Sequence, residues 1–196
     1  EEHILEAQHL RTGEEKARIH FTISKEFKTD FESIISKYDS VDVQYSYQNE
    51  NSDTIAVDEN NLPFRLADHS LFFRPAGHGA LIENLNQINS EIIFIKNIDN
   101  VSQTEQENIV FNQKILAGML LQIQQQIFDC LNKLRTDILS SDLSHEIKEF
   151  INMNLSFQLP DEFEMFQNAY QKEFLIKVLN RPIRVCGMVK NEGEPG

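Results

Sequence analysis

Between Arg18 and Gln48 the hydrophobic period changes twice, and few folds accommodate such a change. Residues 18–24 (RIHFTIS) alternate Ile19, Phe21 and Ile23 against His20, Thr22 and Ser24, the two-residue period of a half-buried strand. Residues 25–38 then set Phe27, Phe31, Ile34, Ile35 and Tyr38 on one helical face, and residues 41–48 (VDVQYSYQ) return to alternation. A crossover of that length favours parallel pairing of the two strands through a right-handed connection. The pattern predicts an α/β fold with a mostly parallel sheet.

The flanking segments extend this plan. A helical pattern at Ile4, Leu5 and Leu10 stops at Thr12-Gly13. Residues 49–71 are polar and turn-rich, with short apolar pieces at 55–57 and 62–64, which predicts a long loop containing a small hairpin. Leu81, Ile82, Leu85 and Ile88 form a short helical stripe. The all-apolar run Ile92 to Ile95 is expected to be a central parallel strand covered on both faces.

From about residue 104 the character is helical. Phe111, Ile115, Leu116, Met119, Leu120, Ile123, Ile127, Leu131 and Leu134 lie along one stripe, Ile147, Phe150 and Ile151 mark a second helix, and Pro160-Asp161 opens a third that ends at Asn180-Arg181-Pro182. Residues 183–189 (IRVCGMV) read as a strand returning to the sheet. The expected organisation is an α/β core over 1–103, a helical insert or subdomain over 104–180, and a returning strand within 181–196. Both ends interrupt a structural pattern, so the chain is expected to be a fragment of a larger domain.

Composition narrows the function classes. With 40% apolar and 25% charged residues the chain is globular in character, and 18 basic against 31 acidic residues give a net charge of −13. That balance argues against non-specific binding to nucleic acid or to an anionic membrane. A phosphorylated ligand would need locally focused cations, for which Arg65, Arg74, Lys96, Arg181, Arg184 and Lys190 are candidates. No apolar run is long enough to span a membrane and no signal peptide is evident, so a soluble, cytoplasmic protein is expected. Cys130 and Cys186 each sit in apolar contexts that suggest buried thiols. The scattered histidines match no zinc motif.

The chemistry concentrates in residues 72–100, FFRPAGHGALIENLNQINSEIIFIKNIDN. Viewed locally, Gly77-His78-Gly79 is either a tight turn whose histidine caps the next helix, or a loop whose glycines admit a base or ribose while imidazole and N–H groups donate to it. Arg74 could meet a phosphate as a fork. Asp99 is either an Asx-turn or helix cap, or a hard oxygen ligand for Mg²⁺, with Asn97 and Asn100 orienting sugar or nucleotide groups. Its position just past the Ile92–Ile95 run is where open α/β sheets place ligands. Gln48 belongs either to a solvated strand face or to a site that reads the edge of a base. Arg184 and Lys190 are either solvated charges or substrate contacts.

The order of these pieces resembles the UDP-sugar pyrophosphorylases, nucleotidyltransferases of the GT-A-like (Rossmann-like) fold. In that superfamily a Gly-rich loop and a lysine precede a strand-end glutamine, a Pro-x-Gly-His/Asn-Gly loop at the uridine, and an Asp-Asn whose aspartate binds Mg²⁺. Gln48, Pro75 to Gly79, and Asp99-Asn100 match the last three, and the first element is absent from this chain. Nearly the whole sequence is also similar to a bacterial family known as domain of unknown function 4301, through stretches such as SDTIAVDENNLPFR, FRPAGHGALIENLN, IIFIKNIDNV and LNRPIRVCGMVKNEGEPG. The resemblance implies that the preceding segment carries the glycine-rich and lysine-bearing pieces.

The resemblance thus implies Mg²⁺-dependent nucleotidyl transfer from a nucleoside triphosphate to a sugar phosphate. Asp99 would be the catalytic metal ligand. Gln48, Arg74, Gly77, His78, Gly79, Asn97 and Asn100 would bind nucleotide, with Arg184 and Lys190 on the substrate. The alternative is a non-catalytic module that binds a nucleotide-sugar or a protein partner. A truncated sheet would leave apolar faces uncovered, so self-association is also expected.

Overall fold

The structure, a computed structural model, describes residues 1–11, 13, 15–98 and 105–187. Its backbone contacts divide the chain into two compact units, Glu1–Val110 and Phe111–Gly196. The architecture is mixed α/β.

In the first unit, helix α1 (Glu2–Leu10) precedes strand β1 (Ala17–Thr22), helix α2 (Lys28–Ile35) and strand β2 (Val41–Ser46). Gly13, between α1 and β1, has φ +73°, a left-handed turn conformation open to glycine without steric cost. The two strands pair in parallel, from Ala17 opposite Val41 to Thr22 opposite Ser46. The strand period then sorts the side chains. Ile4, Ala17 and Val41 are buried together, with Ala7, Ile19, Ile35, Tyr38 and Val43 packed against them. Phe31 of α2 meets Phe21 edge-on at 5.4 Å between ring centroids and Tyr45 at 6.4 Å. The Tyr45 hydroxyl is buried there without a hydrogen-bond partner among the described residues. Burial, then the nearby Glu32 carboxylate, pushes its pKa up.

The hairpin expected in the polar loop is present and continues to residue 74. Strand β3 (Thr54–Ile55) pairs antiparallel with β4 (Phe73–Arg74), and single bridges join Val57 to Pro63 and Arg65 to Leu71. Its two turns are set by aspartates: Asp58 Oδ1 accepts the Asn60 and Leu62 N–H groups, and Asp68 Oδ1 accepts that of Ser70. Ile55, Val57, Phe64, Phe72 and Phe73 of this ribbon are all exposed.

Residues 92–95 depart from the expected central strand. They form no strand, and Ile93, Phe94 and Ile95 are exposed, Ile95 by 70%. An apolar β-branched run becomes a central strand only where neighbours complete its hydrogen-bond ladders. Among the described residues β1 and β2 pair only with each other, so the expected mostly parallel sheet is a two-stranded parallel sheet beside a separate antiparallel pair.

The second unit is helical. Its core joins the C-terminal half of α4 (Gln106–Thr136), α5 (Ser141–Asn154) and α6 (Asn168–Leu179) through Ile127, Leu131, Leu134, Ile147, Ile151, Phe163, Leu175 and Leu179. The stripe expected along α4 is fully buried only toward its end: Leu116 and Leu120 are half-buried, while Phe111, Ile115 and Met119 are exposed. The third helix starts later than Pro160-Asp161 suggests. Residues Asp161–Met165 make a 3-10 turn, Phe166 is extended, and the Gln171 amide donates to the carbonyls of Phe163 and Phe166, both at 3.1 Å. Residues 183–187 form no strand; Ile183 packs on the helical core instead. Residues 188 and 189 lie outside the described set.

Ile147 is fully buried in that core. Ile147→Ala should cost the helical unit about 2–5 kcal/mol in urea unfolding, through lost burial and a residual cavity. Tyr45→Phe removes an unpaired buried hydroxyl and should be neutral or stabilising by up to about 1 kcal/mol. Because the folded protein holds the Tyr45 proton more tightly than an ordinary tyrosine of pKa 10.0, that proton's contribution is complete below pH 10 and is lost as pH rises through the higher folded value. Unfolding curves of wild type and Tyr45→Phe should therefore lie closer together at pH 8 than at pH 11, where wild type alone loses stability.

Candidate functional site

The C-terminal ends of the parallel strands carry the polar side of the sheet. Ser46 Oγ lies 2.8 Å from His20 Nε2, 3.0 Å from Thr22 Oγ1 and 2.9 Å from Asn84 Nδ2. Asn84 belongs to the short helix α3 (Ile82–Asn86) and also donates to the Tyr47 carbonyl at 2.9 Å. Of the stripe expected here, Leu81, Leu85 and Ile88 are half-buried and Ile82 is not. Ile82 is 63% exposed, whereas Asn84, at 6%, takes an inward position because Ser46 and Tyr47 satisfy its amide.

The Pro75–Gly79 loop leads directly into this helix through a 3-10 turn at His78–Leu81, closed by the Ala80 N–H on the Gly77 carbonyl at 3.0 Å. Gly77, His78 and Gly79 are exposed. Neither glycine has a left-handed φ, and a Cβ added to either would meet nothing within 4 Å. Backbone conformation and internal packing therefore give no reason for glycine at these two positions. A side chain there would project into the space outside the loop.

Gln48 lies two residues past β2, and its amide donates to Asp53 Oδ1 at 3.3 Å. Asp53 adjoins β3, whose Thr54 stands opposite Arg74. Asn49 Nδ2 donates to Glu83 Oε2 at 3.1 Å, beside Asn84. Side-chain bonds and one ladder thus connect the segments bearing Gln48, Arg74 and the glycine loop. Arg74 itself is exposed. Asn97 is half-buried on a segment tied to α1 by the His3 Nε2 contact with the Ile98 carbonyl at 3.0 Å and by the Lys96–Glu6 ion pair.

Several candidate cations have other partners. Lys96 is engaged by Glu6, Arg65 donates to the His69 carbonyl at 2.7 Å, and Arg181 stacks 5.0 Å above the Phe157 ring. Arg184 is exposed and belongs to the second unit. Asp99, Asn100 and Lys190 lie outside the described residues. Cys130 is buried, and burial raises its thiol pKa, whereas Cys186 is exposed, contrary to the apolar context around it. Among the described residues no group of three His, Cys, Asp or Glu side chains could hold a metal, and no helix is long and apolar enough to cross a membrane.

The residues not anticipated as part of this arrangement are His20, Thr22, Ser46 and Asn84. Their signal was the polar alternation of both strands, which parallel pairing gathers at one sheet end. Asn84→Ala would strand the Tyr47 carbonyl and loosen the glycine loop from the sheet. The expected cost is about 1–3 kcal/mol in urea unfolding, with faster amide exchange confined to residues near 46–48 and 77–86. An exchange pattern unchanged in that loop would show that Asn84 does not anchor it.

No curated protein and no solved structure matches the chain. The family described as Domain of unknown function (DUF4301) matches all of residues 1–196, and the chain belongs to that family.

Proposed function

We propose that this chain carries part of a sugar-phosphate nucleotidyltransferase site on a GT-A-like fold. The observation that carries the reading is the pair of exposed glycines, Gly77 and Gly79, which nothing among the described residues requires and which sit on a loop anchored at the C-terminal end of a parallel strand pair. That is the end at which open α/β sheets bind ligands. The order Gln48, Pro75–Gly79, Asp99-Asn100 adds support from sequence.

In this reading the loop lets a nucleoside approach the backbone, His78 and Gln48 supply polar contacts to ribose or base, Arg74 meets phosphate, and Asn97 and Asn100 orient sugar hydroxyls. Asp99 would hold Mg²⁺ through a hard carboxylate oxygen, and the ion would supply charge neutralisation at the nucleotide phosphates. A phosphate oxygen of the sugar phosphate attacks the α-phosphorus; the bond to the bridging oxygen of pyrophosphate breaks as the new P–O bond forms. The protein's task is positioning and charge neutralisation.

A second reading, a module that binds a nucleotide-sugar or a protein without chemistry, is favoured by the exposed Phe64, Phe72 and Phe73 of the ribbon. Self-association of the chain belongs to the same reading. Thermal shift with UTP and UDP-sugars, with and without Mg²⁺, tests binding, and pyrophosphate release by the full-length protein separates enzyme from module. The expected result is ligand stabilisation that His78→Ala and Gly77→Val weaken at least about tenfold. Asp99→Asn should abolish turnover in the full-length protein while leaving its melting temperature unchanged. Binding untouched by Gly77→Val would remove the loop from the site.

A further inference from the structure

Residues 92–98 invert the usual sorting of side chains. Ile93, Phe94 and Ile95 are exposed, whereas Lys96 turns inward: its side chain is 22% exposed and that of its ion-pair partner Glu6 only 11%. Among the described residues this segment makes no backbone–backbone hydrogen bond, so no ladder fixes its path. Two contacts to helix α1 do so instead. Lys96 pairs with Glu6, and the Ile98 carbonyl accepts from His3 Nε2 at 3.0 Å. Asn97 is the residue between these two anchors.

Helix α1 is itself fixed. Ile4 is buried together with Ala17 of β1 and Val41 of β2, Ala7 packs on the same cluster, and the Gln8 amide donates to Ser40 Oγ at 2.5 Å. His3 and Glu6, three residues apart, are neighbours on the surface of this helix. Placement therefore passes from the parallel strand pair through α1 to Asn97 without a strand hydrogen bond. A carboxylate and an ammonium that are both largely withdrawn from water lose solvation, and each offsets that loss only by staying beside the other. This confines Lys96 more than an exposed pair would.

We infer that Glu6, Lys96 and His3 are positioning residues for Asn97 and that, on the reading of Asn97 as a nucleotide contact, helix α1 thereby sets the affinity of that site. Lys96 is a candidate phosphate cation by sequence, but its charge is committed to Glu6, and it acts on the ligand only through Asn97.

Hydrogen exchange, and UTP binding in the presence of Mg²⁺, both measured on the full-length protein, test this. Lys96→Met and Glu6→Gln should each speed amide exchange at residues 93–98 about tenfold, leave β1 and β2 unchanged, and weaken UTP binding about tenfold. His3→Ala removes the second anchor and should act in the same direction. Lys96→Arg keeps a cation for Glu6 and should restore both exchange and binding. Combining Glu6→Gln with Lys96→Met leaves no unpaired charge, so the combined variant should recover most of the melting temperature lost by the single variants while exchange stays fast and UTP binding stays weak. Recovery of UTP binding along with melting temperature would reduce the pair to a stabilising role and overturn the inference. So would exchange at residues 93–98 that Lys96→Met leaves unchanged, or UTP binding that holds while exchange rises. Wild-type protein that binds no UTP would overturn the nucleotide reading, and the exchange response, which needs no ligand, would still decide whether the pair places Asn97.

Discussion

Asn84 donates both hydrogens of its buried amide into the sheet, one to the Ser46 hydroxyl and one to the Tyr47 carbonyl, and the placement of the glycine loop rests on those two bonds. Helix α3 has only five residues, too few to hold a shape by itself in water. Its apolar contribution is also small, since Ile82 faces outward. A satisfied amide does here what an apolar stripe does in a longer helix. The parallel pairing of β1 and β2 comes first in this logic, because it brings Ser46 beside His20 and Thr22 and so creates the polar platform on which Asn84 sits.

The two units are stabilised differently. The helical unit concentrates its apolar side chains in one cluster from Ile127 to Leu179. The α/β unit has a smaller buried cluster around Ile4, Ala17 and Val41 and leaves much apolar surface open, on the ribbon of residues 54–74 and on residues 93–95. On the ribbon, Ile55 and Phe73 stand opposite each other on one face while Phe64 and Phe72 meet edge-on at 6.0 Å. A ribbon of this composition presents apolar groups and unpaired edges together, which is the usual basis of association through strands.

The strand, helix, strand unit was legible because its two periods are local properties that pairing only had to confirm. The helices were legible for the same reason, and Ser140 before α5 is a capping residue of the expected kind. Residues 92–95 were misread because burial on both faces belongs to the neighbours of a strand, which its own composition does not encode. Asn84 escaped notice because stripe arguments assign inward positions to apolar residues, and its partners lie 37 and 38 residues away. The glycine loop was visible in sequence, and its lack of any internal need for glycine became visible only in three dimensions. Asp99-Asn100, the metal-binding part of the expectation, falls outside the described residues.

The Ser46 hydroxyl owns one hydrogen and can accept two. Asn84 fills one acceptor position, so the contacts with His20 and Thr22 must run in opposite senses: one receives the Ser46 hydrogen and the other gives its own. With Nε2 of His20 unprotonated, Ser46 donates to the imidazole and Thr22 donates to Ser46. A proton on Nε2 reverses both. The tautomer of a histidine on β1 is thereby written into the orientation of a threonine hydroxyl two residues along the same strand, through an oxygen on its neighbour. Two side chains on one strand share a single binary state through Ser46, set at the end of the sheet from which the glycine loop is hung.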